Sequence, residues 1–214
     1  YELDGGEAFL SSTARPKEIE AFIKNAYGLP YVPGSSIKGM IRTALISYEI
    51  KNKPDEYENV KDIIWKKSGE RAKRTGCLKT EMEQLEKQVL YTLKRDEKKL
   101  GNAVNDNLSG LHIGDSEVID LKQLTLSQKI DYTLECKEKE LPLLRECIIP
   151  GTDIEFEVSI DSTVCPYDMK DIINALNSFQ EDCYQYFYSR FRRGTKEKNV
   201  VWLGGGCGFL SKTV

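Results

Sequence analysis

Only one histidine, His112, stands in these 214 residues. None of the six cysteines (Cys77, Cys136, Cys147, Cys165, Cys183 and Cys207) pairs with another at C-x-x-C spacing. Zinc sites draw on Cys and His at short fixed intervals, so this supply of ligands argues against a metal centre. Scattered cysteines in a chain long enough to bury a real core read as reduced thiols of a cytoplasmic protein, not as a disulfide framework. No apolar run approaches the roughly 18–20 residues that cross a bilayer, so no membrane partner is expected. There is no basic-then-apolar leader, and the first residue is Tyr1 and not methionine, as expected of a piece of a longer protein. No internal repeat is visible.

An excess of positive charge is also missing. The formal net charge of −3 argues against a basic coat over the whole surface but leaves room for local patches. Two runs qualify: Lys66, Lys67, Arg71, Lys73 and Arg74, and then Arg190, Arg192, Arg193, Lys196 and Lys198. Solvated loops are the ordinary alternative for either. With 40% hydrophobic and 30% charged residues, the balance is that of a globular chain and not a disordered one.

What is present starts with Tyr31-Val-Pro-Gly-Ser-Ser-Ile-Lys-Gly-Met-Ile-Arg-Thr-Ala-Leu45. Pro33-Gly34 signals a turn, and Ser35 or Ser36 is a natural helix N-cap. Ile37, Met40, Ile41, Ala44, Leu45 and Tyr48 follow at helical spacing. Lys38 and Arg42 lie four residues apart and share a face. Gly39 between them costs about 1 kcal/mol against alanine inside a helix, which points to close approach of something bulky to the backbone. First-turn N–H groups, two hydroxyls, two cations and a bare glycine together describe an anion site, best suited to phosphate. A capped helix with surface Lys and Arg is the plain alternative.

Periodicity orders the rest. A short hairpin is expected from Ile19–Lys24 and Tyr31-Val32 around Gly28-Leu-Pro30, then helices over 36–50 and 55–67. Leu78, Met82, Leu85, Val89 and Leu93 mark a charged helix running towards Leu100, closed by the Gly- and Asn-rich residues 101–110. Strands are expected at 111–119, 124–134, 153–161 and 200–203, and a long amphipathic helix over 168–191. In 153–161 the alternation predicts Ile154, Phe156, Val158 and Ile160 inward. The order predicts an α+β, ferredoxin-like antiparallel sheet backed by helices. Residues 1–68 and 108–214 form one expected domain, and 69–107 a helical insertion.

Gly204, Gly205, Gly206 and Gly208 follow the last strand, with Ser211 and Lys212 beyond them, an arrangement suited to phosphate or ribose contact or to a tight turn. Gly206–Thr213 nearly fits the P-loop pattern, with Ser211 in place of its second glycine, but a P-loop is expected to open a helix within a parallel β–α unit, and this stretch arrives at the end of the sequence. His112 sits in an apolar strand with no nucleophile in its motif and is expected to be structural. Asp115-Ser116 fits a turn, a bulge or a contact to a ligand hydroxyl. The carboxylates show no acid–base spacing, so no catalytic residue, metal or cofactor is assigned.

Pro30-Tyr-Val-Pro-Gly-Ser-Ser-Ile-Lys-Gly-x-x-Arg-Thr43 and Leu203-Gly-Gly-Gly-Cys-Gly-Phe-Leu-Ser-Lys-Thr213 resemble the RAMP superfamily of CRISPR–Cas proteins. Ile113-Gly-Asp-Ser116, Leu141-Pro-Leu-Leu-Arg-Glu146 and Asp153-Ile-Glu-Phe-Glu157 are similar to one of its families, the type III-A Csm-complex subunit that caps the backbone at the crRNA 3′ side. The resemblance spans about 19–214, with 69–107 outside it. It implies an RRM-like fold that binds crRNA through its backbone, no nuclease activity, neighbouring Csm backbone subunits, an indirect relation to target RNA, and 3′-end trimming by recruited host nucleases. It also implies RNA contact at Gly34, Ser35, Ser36, Lys38, Gly39, Arg42, Arg190, Arg192, Arg193 and the glycine loop through Lys212. The family's N-terminal strand and first glycine-containing loop have no counterpart here, so part of the RNA surface is expected to be missing. Two other functions remain open: a RAMP-type endoribonuclease processing precursor crRNA, and a P-loop-like nucleotide-binding enzyme.

Overall fold

The computed structural model describes residues 18–68, 78–135, 137–191, 196 and 198–203. The fold is α+β, and the described residues fall into two compact units.

One unit holds residues 18–35, 114–157 and 186–191. Its sheet has the order β1 (Glu18–Glu20), β4 (Glu138–Ile148), β3 (Leu124–Tyr132). The long strands β3 and β4 pair antiparallel, with an irregularity between Gln128 and Ile130, while β1 runs parallel to β4. Leu144 and Glu146, two apart on β4, are buried together, as strand periodicity requires. The buried Glu146 carboxylate accepts from Phe22 N (2.8 Å) and from Lys24 Nζ (2.5 Å), which offsets its desolvation. The expected hairpin reduces to a single bridge, Lys24 to Pro30, closed by the Asn25 side chain and by Gly28 at φ +78°.

Residues 115–119 lace onto 30–34. Ser116 N donates to Val32 O (2.9 Å), Val32 N to the Ser116 hydroxyl (2.8 Å) and Ile119 N to Pro30 O (2.8 Å). Gly114 N and Glu117 N donate to Glu157 O and Glu155 O. The predicted strand over 153–161 therefore keeps some pairing, but Ile154 and Phe156 are exposed, not inward. Alternation sets the direction of a side chain but not how far it is covered: Val158 and Ile160, in the same alternation, are half-buried.

The other unit holds the described residues of 36–113, 158–185 and 196–203. Helix α1 (Gly34–Asn52) runs into it and buries Ile37, Ile41, Ala44 and Leu45, an i, i+4, i+7, i+8 stripe. Helix α2 (Glu58–Ser68) follows a single 3₁₀ turn (Pro54–Tyr57). Helix α3 spans only Lys79–Leu90; residues 91–102 form a turn-rich loop and not the expected continuation to Leu100. That loop is organised by the fully buried Asn105, whose amide donates to the Asp96, Lys99 and Leu100 carbonyls and whose Oδ1 accepts from Asp96 N. Strand β2 (Leu111–Ile113) pairs antiparallel with β5 (Val158–Ile160), much shorter than predicted. Helix α4 (Met169–Tyr186) buries Ile172, Ala175, Phe179 and Cys183, and Lys51 Nζ ties α1 to it through Asp182 (2.8 Å). Residues 200–203 form no strand. Among the described residues the expected single sheet is thus two, a three-stranded one that is partly parallel and the β2–β5 pair.

Candidate functional site

The site predicted from residues 34–42 begins at the N-terminus of α1. The helix starts at Gly34, two residues earlier than a cap at Ser35 would allow. Its first turn carries no acidic residue, and the negative charge that suits a helix N-terminus comes from Asp115, whose Oδ1 accepts from Gly34 N at 2.8 Å. The expected serine cap is thereby corrected: Ser35 and Ser36 lie inside the first turn and are exposed. Asp115 and Ser116 both fasten the chain here through hydrogen bonds.

Lys38 and Arg42 part company. The Lys38 ammonium donates to Leu111 O at 2.7 Å, and no carboxylate pairs with it among the described residues. Its charge and remaining N–H groups stay available. Arg42 instead donates through Nε to Glu86 (2.6 Å) and through Nη1 to Asp106 (2.7 Å). Burial works against the guanidinium charge, but Asp106 and Glu86 more than offset it and hold its pKa above the ordinary value. Asp106 is itself fixed, since its Oδ1 accepts from Leu108 N. Nothing local in the sequence signals these partners, 44 and 64 residues away.

Gly39 is exposed, and a Cβ built there meets nothing within 4 Å. Packing inside the protein does not demand this glycine. Helix α1 therefore presents Ser36 and Gly39 to solvent, with Lys38 beside them.

The other predicted residues are less gathered. Arg190 is exposed in the 3₁₀ turn Tyr188–Phe191. Arg192, Arg193, Gly204, Gly205, Gly206, Gly208, Ser211 and Lys212 lie outside the described residues, and so does the P-loop-like stretch. His112 is exposed on β2 and not packed among apolar neighbours, because its side chain takes the solvent side of the strand while Leu111 takes the core. Among the described residues no three His, Cys, Asp or Glu side chains are grouped to hold a metal ion, and no helix is long and apolar enough to cross a membrane. Cys147 and Cys165 are free thiols. Burial pushes the Cys165 thiol pKa up.

The RAMP superfamily sequence pattern matches residues 5–211. The CRISPR system Cms protein Csm5 of Mycobacterium tuberculosis is 29% identical over 209 residues, which covers 92% of this chain and 52% of the relative. Csm5 of Streptococcus thermophilus is 29% identical over 208 residues, covering 95% and 52%. The chain thus spans about half the length of the curated relatives it matches. In fold, it matches the crystal structure of T. onnurineus Csm5 with a TM-score of 0.59 at 19% identity, over 81% of this chain and 56% of that one. A chain in the cryo-EM structure of a Csm–crRNA–target RNA ternary complex of a type III-A CRISPR–Cas system gives 0.62 at 20%, over 95% and 65%. At such identities the structures speak for the α+β fold, and the sequence pattern speaks for descent. This chain belongs to the RAMP superfamily.

Proposed function

We propose that this chain is part of a crRNA-binding subunit of a type III-A Csm complex, placed at the crRNA 3′ side. On this reading it works in the cytoplasm, cleaves no RNA itself, and supports 3′-end maturation through neighbouring Csm subunits and recruited nucleases. Similarity to Csm5 proteins along most of the chain supports the complex. The observation that carries the RNA contact is Gly39, a costly helix residue with open space where its side chain would be. A phosphate backbone that lies along α1 there meets bare main chain, the Ser36 hydroxyl and the unneutralised Lys38. Arg42 positions α3 and the 105–110 turn against α1, and its own charge is largely cancelled. Arg190, Arg192, Arg193 and the glycine-rich end through Lys212 are assigned to RNA contact by family likeness. The domain division, 1–68 with 108–214 and 69–107 as an insertion, is carried as part of the same proposal.

Filter binding of labelled crRNA at several salt concentrations tests this. Lys38→Ala is expected to weaken binding equally for unrelated guide sequences and to reduce the salt slope by about 0.7 per lost phosphate contact. Gly39→Leu is expected to lower affinity at least about tenfold, since a side chain then stands where the backbone must lie. Arg42→Ala should cost about 1–3 kcal/mol of stability by stranding two carboxylates, with a smaller effect on the salt slope. Unchanged affinity in both Lys38→Ala and Gly39→Leu would remove the α1 contact.

A further inference from the structure

The loop after α3, residues 91–102, gathers positive charge without neutralising it. Lys94, Arg95, Lys98 and Lys99 are all exposed there, and the exposed acid beside them is Glu97. The other acid, Asp96, is turned to the loop's own donors. Its Oδ1 accepts from Lys98 N (3.2 Å) and Lys99 N (3.1 Å), and its Oδ2 from the Asn102 amide (3.0 Å). Lys87, exposed in the last turn of α3, adds a fifth cation, since its Nζ lies 3.9 Å from where a Cβ on Gly101 would stand. Among the described residues none of the five takes part in an ion pair. Glu83 and Glu86 of α3 pair with Lys79 and Arg42 instead.

The backbone under these charges is fixed. The Asn105 amide nitrogen lies within 3.3 Å of the Asp96, Lys99 and Leu100 carbonyls, so three points of the loop converge on one atom. Asn102 N donates to Lys99 O (2.8 Å) and Leu93 N to Asn105 O (3.0 Å). Like charges held close on a fixed backbone repel one another, a cost that a trailing loop avoids. The loop is also tied to the α1 site. Asp106, next to Asn105, holds Arg42 at 2.7 Å, one turn along α1 from Lys38 and Gly39.

Five unpaired cations on one fixed loop suit a polyanion. A protein partner would call for apolar and aromatic side chains at the centre of the patch, where lysine is depleted. Residues 93–102 include no aromatic residue, and their exposed apolar side chain is Leu100. Without an aromatic ring there is no platform for stacking bases either, which leaves the phosphates. We propose that this loop is a second phosphate contact for RNA, in which Lys87, Lys94, Arg95, Lys98 and Lys99 face the sugar–phosphate backbone and read no base. The contact rests on the RNA-binding reading above, is separate from that at Gly39 and Lys38, and gives the 69–107 stretch a role.

Fluorescence anisotropy with labelled crRNA at several salt concentrations tests it, with thermal melting of each variant as the folding control. A variant combining Lys94→Gln, Arg95→Gln, Lys98→Gln and Lys99→Gln is expected to bind at least about fivefold more weakly at low salt, with the salt slope reduced by about 0.7 per lost phosphate contact. Its melting temperature should not fall, because the change removes repulsion. Lys98→Arg with Lys99→Arg should bind like wild type. Glu97→Lys, which adds a cation, should tighten binding about two- to threefold and steepen the slope. If the four-Gln variant melts early, Glu97→Lys decides, and no gain in its affinity would overturn the contact. Affinity and slope equal to wild type in a folded four-Gln variant would also overturn it, as expected if the loop meets an acidic protein surface, and would leave the α1 contact standing. No binding of RNA by wild type would overturn both.

Discussion

Gly39 and Gly110 are glycines for opposite reasons. A Cβ on Gly110 would come within 2.8 Å of Cys165 N and Val164 Cβ, and 3.0 Å of Asp161 O, so the fold leaves no room there. Gly110→Ala is expected to destabilise by about 1–3 kcal/mol, seen as a lower urea midpoint. Around Gly39 there is only open space, so Gly39→Ala should stabilise by about 1 kcal/mol at unchanged m-value. A loss of stability would mean that the backbone there is strained or packed in a way that the structure contradicts. The sequence made Gly39 conspicuous because it interrupts a helical period. It could not mark Gly110, whose reason is a backbone segment more than fifty residues away. Arg42 was legible as a cation on the Lys38 face, but its two acidic partners are a tertiary fact.

Among the elements, those with long apolar periods were readable: α1, α4 and β3 lie close to where spacing predicts them. Charged, weakly periodic segments were not. Helix α3 stops at Leu90 because the chain beyond it is recruited by Asn105 and Asp96, small polar side chains that compete for backbone groups. Helices α2 and α3 are joined by Lys67 and Glu81, the latter 4% exposed. The hydrogen bond from Lys67 holds the Glu81 carboxyl below its usual value of 4.5. A carboxyl depressed on folding adds stability above its unfolded pKa and loses it as pH falls through the folded one. Urea midpoints of wild type should therefore drop more than those of Glu81→Gln as pH falls through and below 4.5. Equal slopes across that window would show that the pair contributes nothing to acid sensitivity.

For the whole molecule, the described residues fall into two compact units, and the chain belongs to the RAMP superfamily. The superfamily is legible from short motifs, and in the folded chain one of them has an architectural role. Ile113-Gly-Asp-Ser116 caps α1 through Asp115 and fastens residues 30–34 through Ser116, so the motif is partly architectural. The exposed His112 was misread because an apolar strand has two faces and the sequence alone does not say which one is covered. The central claim is that the chain grips guide RNA by its sugar–phosphate backbone and leaves it intact. Incubation of purified chain with end-labelled crRNAs of unrelated sequence, read both by native gel and by denaturing gel with and without magnesium, tests this most directly. The account predicts similar affinities for all guides and full-length RNA in every lane. Guide-selective binding, or cleavage that copurifies with the wild-type chain and vanishes in a folded His112→Ala variant, would contradict it.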